Sequence, residues 1–400
     1  MSSLTQNDLP LGFTYAAMAA GIKKSGKPDL ALIKADKPAR CAGTFTTNQV
    51  VAAPVTLTRE RIAGGLCQAI LVNSGNANAC TGAQGMADAR RCGALTAGAL
   101  GIAEELVVVA STGVIGVPLP MARFEEQVPV LAGRLATDQA EAVAEAIRTT
   151  DAFPKISSRG IEIGGESVRI LGVAKGAGMI HPNMATMLAF VMTDAAVDGA
   201  CLDSLLRRAV DRSFNRITVD RDTSTNDTVL LLASGAAQNA EIVTGSAAAG
   251  VFAAALDEVL LDLAKMIVRD GEGATKLVRI EVCGAVSDDD ALAVARSVAT
   301  SALVKTAFFG ADANWGRIIA AAGYAGVPVD QDKVRILFNE VPMVEGGLGL
   351  GTAQEARATA VLKQTEFTVT VDLGLGEGRA FYYTSDLNYD YVKINADYRS

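Results

Sequence analysis

Short apolar runs alternate with amphipathic stretches along the whole chain. Leu30 to Ala35 and Gln68 to Val72 read as short buried strands. Leu106 to Ala110 is a β-branched run that ends at Ser111-Thr112-Gly113. Ile161 to Val173 carries β-branched residues around a Gly-Gly turn. Met187 to Met192 is strongly apolar and predicts a buried strand. Val278, Ile280 and Val282 alternate with Arg279 and Glu281, and Phe367 to Leu373 alternates in the same way, the period of half-buried strands. Helical composition marks Met86 to Leu100, Gln139 to Thr149 and Ala247 to Leu256. Ser287 to Asp290 precedes a further Ala/Val/Leu helix and fits a capping box. Gly374 to Gly378 reads as a hairpin turn between two strands, and Gly346 to Gly351 as another turn. The mixture predicts an α/β (mixed α+β) fold, either two packed domains or one large unit.

Composition narrows the class. The chain has 400 residues, half of them hydrophobic and a fifth charged, enough to bury a large core. The net charge of −8 comes without basic runs, so no nucleic-acid partner is expected. No stretch reaches the ~18–20 apolar residues of a membrane span. The N-terminal stretch lacks the features of a secretory signal, and the six cysteines form no C-x-x-C pair. These observations predict a cytoplasmic protein with reduced, buried thiols, no structural metal, and no membrane association.

Candidate chemistry is constrained by scarcity. The chain has one histidine, His181, and no P-loop or H-E-x-x-H motif. The Gly-rich approach from Lys175 to Gly178 leads to Ala185-Thr186, just before the apolar strand. Such a step suits an autoproteolytic nucleophile. Thr186 attacks the Ala185 carbonyl, the ester hydrolyses, and the freed α-amine, with a pKa of about 8, becomes a general base. By residue chemistry alone, the same step is also an ordinary strand entry. Thr112-Gly113 is equally a strand-end turn, Lys175 a solvated loop charge, Asp270-Gly271-Glu272 a turn, and Asn395 with Ser400 a tail.

An ordered series of motifs gives these residues a different meaning. It comprises Phe45-Thr-Thr-Asn48 with Ala52-Ala53-Pro54, Asn73-Ser-Gly-Asn-Ala-Asn-Ala-Cys-Thr-Gly82 and Ser111-Thr-Gly-Val-Ile-Gly116. Thr149-Thr-Asp151 with Pro154-Lys155, Pro182-Asn-Met-Ala-Thr-Met-Leu188 and Asp222-Thr-Ser-Thr-Asn-Asp-Thr228 follow. Asp270-Gly-Glu-Gly-Ala-Thr-Lys276, Gly310-Ala-Asp-Ala-Asn-Trp-Gly-Arg317 and Ile394-Asn-Ala-Asp-Tyr398 complete it. With this series, the chain resembles the ornithine acetyltransferase family, also called glutamate N-acetyltransferase, of arginine biosynthesis.

The resemblance implies a two-lobed, self-cleaving N-terminal-nucleophile-type fold, of the kind shared with β-aminopeptidases. It implies an α chain, 1–185, and a β chain, 186–400, in an α2β2 heterotetramer. It implies ping-pong transfer of acetyl from N-acetylornithine to glutamate through Thr186, with no cofactor. Acetyl-CoA is a further donor in some members, which then make N-acetylglutamate directly. On matching positions, Thr112 and Gly113 become the oxyanion hole. Thr149, Lys175, Thr186, Glu272, Asn395 and Ser400 become substrate-binding residues. Lys175 suits a substrate carboxylate and Glu272 a substrate amine. Ser400 stands where Thr is usual in the family, and Arg221 stands where Gly is expected, a structural variation. His181 is expected to be structural. Rival readings are a self-cleaving amidohydrolase or aminopeptidase, and a non-catalytic binding protein with an intact chain.

Overall fold

In the computed structural model, residues 4–181 and 187–397 are described. In chain order, the first half contributes strands β1 (Phe13–Met18), β2 (Leu30–Phe45), β3 (Leu66–Asn76), β4 (Val107–Val114), β5 (Lys155–Ile163) and β6 (Glu166–Lys175). Its helices are α1 (Ala53–Arg61), α2 (Gly82–Leu100), α3 (Met121–Ala132) and α4 (Ala140–Ala146). Then come β7 (Leu188–Thr193), α5 (Gly199–Asp211), β8 (Ile217–Thr218), β9 (Thr228–Ala233) and α6 (Ala247–Arg269).

β1 to β7 and β9 form one sheet, ordered β4-β3-β2-β9-β7-β6-β5 with β1 on β2. The sheet turns back on itself because β2 serves both halves. Its Leu30–Lys34 stretch pairs with β3, and its Arg40–Phe45 stretch pairs with β9. Alternating residues then face opposite layers. Ile33 and Ile70 meet Phe190 and Leu230 between the two halves. Leu32 and Leu71 pack outward on Cys92 and Phe124 of α2 and α3. Val191 and Leu231 pack outward on Leu206 and Leu260 of α5 and α6. The result is four layers, with helices outside two facing sheet halves.

The remaining elements are β10 (Leu277–Ala285), α7 (Asp288–Thr300), α8 (Ala302–Phe309), α9 (Trp315–Gly323), β11 (Arg335–Phe338), β12 (Val341–Glu345), β13 (Leu348–Gly349), α10 (Thr352–Leu362), β14 (Glu366–Asp372), β15 (Gly378–Ser385) and α11 (Tyr389–Asp397). Their strands, with β8, form a second sheet ordered β13-β12-β11-β14-β10-β15-β8. α7 to α10 cover it. The mixed α/β reading and the two lobes both hold.

Several local expectations change. β14 and β15 do not form a hairpin: β10 lies between them, parallel to β14 and antiparallel to β15. The Gly374–Gly378 link instead crosses the end of β10, where Leu375 and Gly376 N–H groups bond the Gly284 carbonyl at 2.7 and 3.0 Å. Alternation identifies a strand but not its neighbour. Gly164-Gly165 and Gly346-Gly347, all at positive φ, do close true hairpins. The helix expected to reach Thr149 ends at Ala146, which frees Thr149 for a loop. Ser287 Oγ accepts from the Asp290 N–H, the forward half of the expected box. Cys80 is exposed and Cys283 half-buried, so the thiols are free but not all buried.

Candidate active site

Two parallel strands end in a tight crossing. β3 and β4 pair Ser74 with Thr112 and Gly75 with Gly113, and the register shifts at Gly75/Asn76. Gly113 sits at φ +135, and a Cβ there would lie 2.3 Å from the Gly75 carbonyl carbon. No side chain fits, so glycine is required. The asparagine-rich motif braces this crossing. Ser111 Oγ donates to Asn73 Oδ1 at 2.6 Å, and Asn73 Nδ2 donates to the Asn76 carbonyl at 2.9 Å. Asn226 Nδ2 donates to the carbonyls of Ala77 and Ser111 at 2.7 and 2.9 Å. Thr112-Gly113 thus lies at the end of β4 and is held there by this bracing.

Lys175, the last residue of β6, is buried, with its Nζ 3.3 Å from Thr112 Oγ1. It is not a solvated loop charge. Loss of water pushes its pKa down, partly opposed by the Asp151 carboxylate. Asp151 organises the neighbourhood, accepting from the N–H groups of Thr149 and Gly176 at 2.9 and 2.7 Å and from Lys155 Nζ at 2.7 Å. Burial works against the Asp151 carboxylate, but Lys175, Lys155 and these hydrogen bonds prevail and hold its pKa well below the usual range.

A third side comes from the loop after α6 and from α11. The Glu272 N–H donates to the Ala177 carbonyl at 2.9 Å. Its carboxylate occupies the space that a Cβ on Gly178 would take, 2.4 Å away. Asn395 Nδ2 donates to Glu272 Oε2 at 2.8 Å. Asn395 therefore belongs to a docked helix and not to a frayed tail.

These parts enclose a cavity of about 210 Å³ lined by Thr112, Gly113, Thr149, Lys175, Glu272 and Asn395, so six predicted residues converge. Ala185, Thr186 and Ser400 lie outside the described residues. The chain before residue 182 nonetheless borders the cavity. Lys175, Gly178 and Met179 line it, and the Met187 N–H donates to Asp227 Oδ1 at 2.9 Å. Asp227 is fully buried, and burial pushes its pKa well above the usual range. Its Oδ2 has no hydrogen-bond partner among the described residues.

Further lining residues were not singled out from sequence: Asp220, Ser224, Thr225, Asn226 and Tyr391. All but Tyr391 sit within or beside the Asp222–Thr228 motif, which was the available signal. Asp220 accepts from the N–H groups of Met179 and Ile180 at 2.7 and 2.8 Å, and burial pushes its pKa up to about 6. Arg221 adopts φ +72, the conformation that explains why glycine is the expected residue there. His181 lies outside the cavity lining, with Nδ1 3.2 Å from Thr218 Oγ1. Burial, with Arg296 and Arg221 nearby, pushes its pKa down to about 4.

Comparison with known proteins gives a consistent result. A family model described as the ArgJ family matches residues 14–400. The arginine biosynthesis bifunctional protein ArgJ of Syntrophotalea carbinolica is 63% identical, over 97% of this chain and 99% of that protein. The protein of the same name from Geobacter sulfurreducens is 58% identical, over 97% and 99%. A crystal structure of arginine biosynthesis bifunctional protein argJ from Bacillus halodurans, 45% identical, covers 52% of this chain and 98% of its own, with a TM-score of 0.51.

Proposed function

This chain belongs to the ArgJ family, and from that premise we propose that it is an acetyltransferase of arginine biosynthesis carrying acetyl from N-acetylornithine to glutamate on Thr186. The observation that carries the reading is the convergence of Thr112, Gly113, Thr149, Lys175, Glu272 and Asn395 on one cavity. About 210 Å³ is below the ~300–1,000 Å³ of drug-sized sites and suits an amino-acid substrate.

The Thr186 α-amine takes the hydroxyl proton as Oγ attacks the acetyl carbonyl. The Thr112 hydroxyl and the Gly113 N–H stabilise the oxyanion, each such donor contributing about 3–4 kcal/mol at the transition state. The C–N bond breaks, ornithine leaves with the proton, and the acetyl ester remains on Thr186. The glutamate amine attacks that ester, the C–O bond breaks, and Thr186 regains its proton. Lys175 meets the amino-acid carboxylate and Glu272 the side-chain amine of ornithine, and Ser400 is a further substrate-binding residue in this reading. No cofactor enters any step.

In this reading the chain cuts itself between Ala185 and Thr186 into an α chain, 1–185, and a β chain, 186–400. The fold is compatible with a cut that leaves one body. β7 pairs along its whole length with β6, from Ile170↔Thr193 to Lys175↔Leu188, so the two products share one sheet. The half-length of the solved Bacillus halodurans chain, relative to this one, is what one product of a mid-chain cut would have. We propose an α2β2 assembly in the cytoplasm. Among the described residues, no single helix is long and apolar enough to cross a membrane.

Intact-mass measurement and N-terminal sequencing test the reading together with an assay. The purified protein should give two chains, the second beginning Thr-Met-Leu-Ala-Phe. Thr186→Ala should remain one chain without transfer of acetyl from acetylornithine to glutamate. An uncut wild-type chain that still transfers acetyl would overturn the mechanism.

A further inference from the structure

Two of the converging residues, Glu272 and Asn395, owe their places to a segment that does not line the cavity. Asn395 stands on α11, and none of the described residues of α11 is buried. Tyr389 and Val392 on this helix are 83% and 65% exposed. A helix of this length with no buried face has no core to fix it. Hydrogen bonds must do so instead. Asn395 reaches Glu272 at 2.8 Å, and Tyr391 Oη lies 3.4 Å from Asp220 Oδ2. The remaining ties come from the link Asp386-Leu387-Asn388, between β15 and α11.

Asn388 joins the helix to the Glu272 loop. Its Oδ1 accepts from the Asp390 and Tyr391 N–H groups at 2.9 and 3.2 Å, which caps α11. Its Nδ2 donates to the Gly273 carbonyl. Gly273 has φ +73, and a Cβ there would lie 2.5 Å from the Tyr391 nitrogen. Loop and helix start therefore meet backbone to backbone. Asp386, buried, holds the far side of the same loop. It accepts from the Thr275 and Lys276 N–H groups at 2.8 and 2.9 Å and from Thr275 Oγ1 at 2.6 Å. The link is itself anchored in the second lobe. Buried Lys305, on α8, donates from Nζ to Thr384 Oγ1 at 2.9 Å, to Ser385 Oγ at 3.1 Å and to the Ser385 carbonyl. The Leu387 N–H donates to the Lys305 carbonyl at 3.2 Å.

We propose that Asp386 and Asn388 are positioning residues for the amine end of the substrate, setting Glu272 and Asn395 from the second lobe and so governing affinity for the cationic amino acid without touching it. Neither residue lines the cavity. The inference rests on the acyl-transfer reading above for the identity of that amino acid. Glutamate carries no side-chain amine, so its half-reaction is largely independent of the link. The first lobe supplies the oxyanion donors and Lys175, and the second lobe sets the group that distinguishes the donor from the acceptor.

Titration calorimetry with ornithine on the purified, full-length protein tests this, beside steady-state kinetics. Asp386→Ala should weaken ornithine binding about tenfold or more, as for a misplaced binding group. It should lower kcat/KM for acetylornithine in parallel and leave kcat/KM for glutamate within about threefold, since each value reports its own half-reaction. Asp386→Asn keeps an acceptor for both N–H groups and gains a donor for Thr275 Oγ1, and should bind ornithine within about threefold of wild type. In a Glu272→Gln background, Asp386→Ala should cost no more than about a further twofold, because the group it positions is gone. Unchanged ornithine binding in folded Asp386→Ala overturns the proposal. So does an equal loss with both substrates, an undiminished loss in the Glu272→Gln background, or failure of the Asp386→Asn rescue. If Asp386→Ala does not fold, Asn388→Ala is held to the same outcomes. Wild type that binds ornithine but transfers no acetyl, with the variants behaving as expected, overturns the functional reading and keeps this inference. Intact transfer with ornithine binding unmoved by the variants overturns this inference alone.

Discussion

Lys155 and Lys175 stand on adjacent paired strands, at the start of β5 and the end of β6, and both are buried. Their surroundings are opposite. Lys155 Nζ contacts Asp151 at 2.7 Å, Asp270 at 2.6 Å and the Phe153 carbonyl at 3.4 Å, and lies 5.0 Å from the centre of the Phe153 ring. Among the described residues, Lys175 Nζ has the Thr112 hydroxyl at 3.3 Å as its one hydrogen-bond partner. The first lysine is saturated and joins three loops, because Asp151 also holds Thr149 and Gly176 and Asp270 also holds Ala152 at 3.0 Å. The second is desolvated and under-partnered, and it faces a cavity. A buried charge with all its partners is architecture. One left short of partners, at an energetic cost that a substrate carboxylate can offset, is a binding group.

The contrast can be broken in three ways, of decreasing effect. Lys155→Met leaves two carboxylates buried without their cation. It should destabilise the fold by about 3–5 kcal/mol, measured by chemical denaturation. A loss below about 1 kcal/mol would mean that the saturated centre is not architectural. Lys175→Met removes a charge whose nearest compensating carboxylate, Asp151, keeps Lys155 as its direct ion-pair partner. Stability should stay within about 1 kcal/mol or rise, while KM for the amino-acid substrate increases roughly 10- to 100-fold, as for a lost hydrogen bond to a charged group. A large stability loss with unchanged KM would place Lys175 in the same class as Lys155.

His181 provides the mildest test, outside both centres. Its pKa falls from about 6.5 to about 4 on folding, chiefly through burial. The folded state therefore prefers the neutral ring. That contribution is fully present above pH 6.5 and is lost as pH falls toward about 4. His181→Asn should flatten the decline in melting temperature over that window and leave transfer near pH 8 unchanged. An equally steep decline in the variant, or transfer abolished, would show that the ring has another task.

Much of this was legible in the residues. Period-two alternation identified β10 and β14, and the Gly-Gly pair identified the β5–β6 hairpin. The Lys175–Gly178 approach and the Ser111–Gly116 motif marked two sides of the cavity. The Asp222–Thr228 motif was visible, but its members Ser224, Thr225 and Asn226 were not assigned to the site. Asp220 and Tyr391 gave no signal of their own, because a loop aspartate and a helical tyrosine are usually solvated. They matter here because the loop leading into the Asp222–Thr228 motif and the last helix fold onto one another, with Tyr391 Oη 3.4 Å from Asp220 Oδ2.

The sequence by itself determined the elements, the glycines their turns require, and the residue types able to do chemistry. These depend on backbone periods of 2.0 and 3.6 residues and on local sterics, which act over a few positions. Tertiary structure decided which strands are neighbours, so β10 separates β14 from β15 despite the Gly-rich link. It also decided that one lysine is saturated and its neighbour is not, and that Thr112 meets Lys175 across 63 positions and Glu272 meets Asn395 across 123. Burial, and with it every shifted pKa in the site, is a property of those long-range contacts. No local pattern encodes them, because desolvation depends on what the rest of the chain places around a group.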